Sequence, residues 1–155
     1  MTFSEWEETV PPEIKGDSVW QSKAYRLGLF VADVAWHDAT KLAKDKRTLG
    51  LSDQLCRAAG GISADIEEGY SRISGRDRAR FYEYALGSAR ETRGWYYKGR
   101  HVLGPRVATH RIAILTEIVK LLLTMVPDQR EHTLKEEGPP YSAYPEALLQ
   151  DVPLP

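Results

Sequence analysis

Four stretches of this chain repeat apolar residues three and four apart, a period that an α-helix packed along one side satisfies and a strand does not. In the first stretch Trp20, Ala24, Leu27, Val31 and Val34 form one stripe, and Tyr25, Leu29, Ala32, Trp36 and Ala39 form a second beside it. The next carries Leu51, Leu55, Ala58, Ile62 and Ile66, and the one after it Phe81, Ala85, Ser88, Thr92, Trp95, Gly99 and Val102. In the last, Ala108, Ile112, Leu115, Val119, Leu122 and Val126 run unbroken beside Ile114, Ile118, Leu121 and Met125. No segment alternates with a period of two, so no strand is expected.

The punctuation between the stripes sets the boundaries. Ser18-Val19-Trp20-Gln21 has the form of a capping box and predicts a first helix over about 18–44. The second helix reads over about 51–70, with Gly60-Gly61 in its middle as a place of close helix approach or a bend. Ser74 with Asp77 three residues on opens the third. Gly104-Pro105 closes that helix and starts the fourth, which runs from about 105 to 126 ahead of Pro127. Residues 1–16 show no sustained period and read as an arm; 17–127 form the helical body; 128–155 form a proline-rich acidic tail with one short turn at 146–149. Four long helices joined by short loops predict an all-α, up-down-up-down four-helix bundle. A fourth helix apolar on two sides has one side for the core and one to spare. Ile114, Ile118, Leu121 and Met125 are therefore the candidate interface with further copies of the chain.

The 155 residues carry a net charge of −1, which excludes a globally basic nucleic-acid binder. The charge is nevertheless segregated: residues 1–46 hold a net −2, 47–111 a net +5 and 112–155 a net −4. Arginine supplies most of the central excess: Arg57, Arg72, Arg76, Arg78, Arg80, Arg90, Arg93, Arg100, Arg106 and Arg111. Its planar fork presents two parallel donors to a phosphate, and Arg72, Arg76, Arg78 and Arg80 bracket the positive end of the third helix. The candidate nucleic-acid surface is Arg72, Arg76, Arg78, Arg80, Arg90, Arg93, Lys98 and Arg100. The same residues also suit a solvated, internally ion-paired face or a protein-docking surface.

Patterns that carry catalysis or hold a cofactor are missing. None of His37, His101, His110 and His132 follows a Glu at the Glu-x-x-His spacing of a di-iron bundle, and no Walker A or Gly-x-Ser-x-Gly motif occurs. Asp65, Glu67 and Glu68 read as capping and inter-helix pairing groups rather than a metal or general-base site. Cys56, the single cysteine, reads as a small packed side chain and excludes an intramolecular disulfide. Trp95, Tyr96 and Tyr97 suit a core or interface better than base stacking. No enzyme, cofactor or metal is expected. The longest apolar runs fall far short of a membrane span, and the acidic first residues lack a leader pattern, so the expected place is the cytoplasm.

The run from Leu51 to Ser74, with Gln54-Leu55, Ala58-Ala59, Ile66 and Glu68-Gly69, resembles the signature of the 23S rRNA intervening-sequence type of helical protein. The likeness resumes at Phe81, Ala85, Gly87-Ser88 and Glu91, and covers about residues 18–126. The resemblance implies a left-handed four-helix bundle assembled as a homo-oligomeric ring, typically a pentamer, with no catalytic residues. It also implies kinship with accessory proteins of diversity-generating retroelements, whose partners are RNA or DNA and a reverse transcriptase. Cys56 stands where the family often has Arg, Asp65 where it has Asn, and Glu67 where it has Ala. These changes make the second helix more acidic and leave the third as the candidate nucleic-acid surface. The alternative is a protein-interaction adaptor that works through the arm and the tail.

Overall fold

Helix periodicity decides the architecture. The computed structural model describes residues 2–129 together with Pro153, and every regular element among them is helical. In chain order these are α1 (Phe3–Thr9), α2 (Pro12–Lys15), a 3-10 turn (Ser18–Gln21), α3 (Lys23–Leu42), α4 (Leu49–Tyr70), α5 (Gly75–Leu103) and α6 (Pro105–Asp128). The four long helices share one apolar core, with α3 against α4, α4 against α5, α5 against α6, and α3 touching α6 and α5 as well. Leu27, Phe30, Leu42, Leu55, Ile62, Ile66, Leu115 and Leu122 have no exposed surface. The turn predicted at 146–149 lies outside the described residues.

The predicted first helix divides. Gln21 does not close a capping box with Ser18. Instead the Asp17 carboxylate accepts from the Val19 amide at 3.0 Å, which favours a short 3-10 turn. Ser22 then caps α3 by accepting from the Tyr25 amide at 3.3 Å. Elsewhere the punctuation works as read. Ser74 Oγ accepts from the Asp77 amide at 3.3 Å, Gly104 adopts φ +90° and Pro105 opens α6. Helix α6 runs on through Pro127 to Asp128.

The arm is more than an arm. Thr2 and Glu5 form a reciprocal capping box, at 3.1 Å and 2.6 Å, and start α1. Phe3, Trp6 and Val10, spaced three and four apart, lie buried in the core cluster. The Phe3 and Trp6 rings each meet Phe30 edge-on at 5.3 Å, and Trp6 stacks near Trp20 at 6.4 Å. Trp6 Nε1 donates to Asp33 at 2.5 Å and Arg26 pairs with Glu7 at 2.8 Å. Residues 2–10 are thus stitched along α3.

Close contact between α4 and α5 depends on glycine. A Cβ at Gly61 would lie 2.9 Å from Ser88 Oγ, and one at Gly69 would lie 2.8–2.9 Å from Tyr82 and Phe81. Gly61 is therefore a point of close approach, and no bend has to be invoked.

Candidate nucleic-acid interface

Helix α5 turns Ala79, Tyr82, Ala85, Ala89, Thr92, Tyr96, Gly99 and Leu103 inward, so its opposite side faces solvent. Along that side Arg76, Arg80, Gly87, Gly94 and Lys98 follow one another at spacings of four, seven, seven and four, and Arg90 lies beside them. Arg76, Arg80, Arg90 and Lys98 are exposed. A Cβ added at Gly87 or Gly94 would meet nothing within 4 Å, so the stripe crosses bare helix backbone at these two positions, with Glu83 on the same side between Arg80 and Gly87. Tyr84 and Tyr97 flank it, 51% and 58% exposed.

Several of the cations rest on aromatic faces. Arg72 lies 4.6 Å and Arg80 5.6 Å from the Phe81 ring centre, Lys98 4.1 Å from that of Trp95 and Arg100 4.0 Å from that of Tyr97. Such seating orients a cation without neutralising it, so the charge stays available to an anion. Glu91 tempers the stripe, its carboxylate accepting from Trp95 Nε1 at 3.1 Å.

Not every candidate joins this surface. Arg78 donates to the Arg72 carbonyl at 2.9 and 3.2 Å and to Gln129 Oε1 at 3.2 Å, so it ties the α4–α5 loop to the end of α6. Arg93 is half-buried and donates to Thr116 Oγ1 at 3.3 Å, linking α5 to α6. Arg100 also donates to the Tyr97 carbonyl at 2.7 Å. Arg111, counted in the central positive excess, has no exposed surface at all.

The apolar candidates move inward too. Ile114 and Ile118 are fully buried within one copy of the chain, so they present no face to a second; Leu121 and Met125 keep partial exposure. Cys56 is exposed rather than packed; partial desolvation of its thiol, then the Asp53 charge, push its pKa up, away from thiolate chemistry. Tyr96 is buried, Trp95 half-buried and Tyr97 exposed. The acidic cluster works between helices: Asp65 accepts from Ser88 Oγ at 3.2 Å and Glu67 accepts from Tyr25 Oη at 2.6 Å. Among the described residues no three His, Cys, Asp or Glu side chains gather as a metal site, and no helix is long and apolar enough to cross a membrane.

A polar cluster sits in the core where no charge was expected. Arg111 Nε donates to Asp38 Oδ2 at 2.8 Å, Arg111 Nη2 reaches Asp38 Oδ1 at 3.3 Å, and Tyr96 Oη donates to Asp38 Oδ2 at 2.9 Å. Neither side chain of the ion pair is exposed. Burial first, then the Asp38 charge, holds the Tyr96 phenol well above its ordinary range. The cluster ties α3, α5 and α6 together.

The model of the family described as 23S rRNA-intervening sequence protein matches residues 19–124, from the end of the arm almost to the end of α6. The chain belongs to that family. Its fold is similar to the crystal structure of a protein with unknown function from the S23 ribosomal protein family of Bacteroides thetaiotaomicron VPI-5482. The two share 23% identity over 66% of this chain and 97% of that one, with a TM-score of 0.62. No curated protein matches the chain. The matched segment includes α5 and its basic stripe and leaves out α1, α2 and the C-terminal tail.

Proposed function

We propose that this family member is a non-enzymatic scaffold that holds nucleic acid, or a ribonucleoprotein, along the exposed stripe of α5. The observation that carries the reading is the stripe itself: Arg76, Arg80, Arg90 and Lys98 set around bare backbone at Gly87 and Gly94. Cations bring the phosphates, and missing side chains let a sugar–phosphate backbone come close. The family's description, which ties it to an intervening sequence of 23S rRNA, agrees in chemistry. Tyr84 and Tyr97 at its margins suit stacking on unpaired bases.

The four long helices are read as a left-handed up-down-up-down bundle, supported by each helix packing on the next and α3 returning to α6. Several copies then form a ring, a pentamer by family likeness, which multiplies a stripe too short to bind strongly alone. With Ile114 and Ile118 consumed by the core, contacts between copies fall to other surfaces, Leu121 and Met125 among them. A reverse transcriptase remains the protein partner that the resemblance suggests. The adaptor reading is less well supported, because Phe3 and Trp6 of the arm are spent on the core.

The test is fluorescence anisotropy with short RNA and DNA at about 150 mM salt. The triple variant Arg76→Glu, Arg80→Glu, Lys98→Glu is expected to weaken binding at least tenfold and to flatten the salt dependence by roughly one unit of slope per lost phosphate contact. Binding that is unchanged by the triple variant contradicts the reading.

A further inference from the structure

The buried cluster on Arg111 takes one partner from outside the helices. Arg111 Nη2 donates to the backbone carbonyl of Pro153 at 2.6 Å, and Pro153 is buried. The other guanidinium nitrogens face Asp38 along one edge and His110 Nδ1, at 2.9 Å, along the other. Arginine only donates, so His110 Nδ1 accepts. Asp38 Oδ1 takes one of the Nη2 protons and the second needs an acceptor; a buried donor left without one bears its full desolvation penalty. The Pro153 carbonyl fills that need. A proline suits the place, because it brings an acceptor and no backbone N–H that would need a partner of its own.

The chain is long enough to make this contact within one copy. Arg111 lies 18 residues before Gln129, at about 1.5 Å per residue along the α6 axis. The 23 residues 130–152 can span roughly 3.3 Å each. The return to Arg111 uses less than half of that reach.

We infer that Pro153 is a latch: it seats on Arg111 of the same chain and completes the ion pair that joins α3 to α6. The stability of the helical body thereby depends on residues far outside the segment that carries the family pattern. A partner that takes hold of Pro153 must first lift it from Arg111. Binding at the tail and stability of the core are then coupled, each opposing the other by the same factor.

The test uses the full chain with a protease site inserted after Lys135 and cut after folding. The latch predicts that the cut segment co-elutes with the helical body and that the Arg111 guanidinium protons stay protected from exchange by NMR. It also predicts that a chain ending at residue 149 loses that protection and melts roughly 5 °C lower. If the cut segment separates while protection and melting temperature hold, the latch is overturned. Protection that grows with protein concentration would show the seat filled by another copy, and would equally overturn the assignment to the same chain. Should the shortened chain fail to fold, the cut full-length protein still decides between these outcomes.

Discussion

Asp38 and Arg111 show how much one pair of residues can hide in a sequence. A buried ion pair gives little net stability over an apolar pair of equal size, but removing one partner strands the other. Arg111→Met is accordingly expected to cost about 3–5 kcal/mol by urea unfolding, because Asp38 then stays buried without its counter-charge. Asp38→Leu combined with Arg111→Met is expected to cost less than Arg111→Met alone; a double loss equal to the sum of the singles would refute the pairing. The signal was present in the stripes. Asp38 follows Leu27, Val31 and Val34 in phase, and Arg111 falls between Val107 and Ile114 in the second stripe of α6. Charge counting treats every arginine alike, so Arg111 adds to the central positive excess although its side chain is buried. A titratable residue in phase with an apolar stripe marks a buried polar network. Asp65 offers a second test. Burial raises its pKa, the Ser88 hydrogen bond works against that, and Glu68 adds to the rise. A carboxyl raised in the folded state costs stability as pH climbs through its titration. Asp65→Asn, the residue usual in the family pattern, is therefore expected to raise the melting temperature slightly at pH 7. That gain should shrink below about pH 4, near the ordinary carboxyl value of 3.8. A gain that persists unchanged at low pH would contradict the charge argument.

Among the elements, the long helices were legible and the short ones were not. Eighteen or more residues average out local exceptions, so α4, α5 and α6 appear within two residues of their expected ends. Helix α1 has seven residues, and its capping box and the Phe3, Trp6, Val10 spacing fall below what a period can establish alone. The break at Ser22 was missed for a different reason: two caps in succession, Asp17 and Ser22, compete with one continuous helix, and the apolar stripe crosses the break unchanged. The glycines separate packing from function. At Gly69 a Cβ would run into Tyr82 and Phe81 at 2.8–2.9 Å, so Gly69→Ala is expected to destabilise by about 1–2 kcal/mol net of its helix-propensity gain. Gly87→Ala and Gly94→Ala enter open space and are each expected to stabilise by about 0.8–1.0 kcal/mol in thermal unfolding. If the stripe receives a phosphate backbone, both changes weaken nucleic-acid binding while strengthening the fold. Stabilised variants with undiminished affinity would show that the bare backbone serves no ligand.

For the whole molecule, the segregation of charge survives folding in altered form. The central positive segment loses Arg111 to the core and Arg78 and Arg93 to internal ties, and α5 retains a narrower stripe than the sequence promised. A stripe of four exposed cations on one copy makes few phosphate contacts, and affinity rises steeply with their number. Assembly and binding are therefore one claim: copies that associate present several stripes to one strand. The most direct measurement is the solution mass by light scattering at about 150 mM salt, with and without a mixed pool of short RNA and DNA. Binding along the stripes of an assembly predicts a discrete multiple of the protomer mass that increases when nucleic acid is added and returns when the salt is raised. A single copy, or an assembly whose mass ignores nucleic acid, would contradict it.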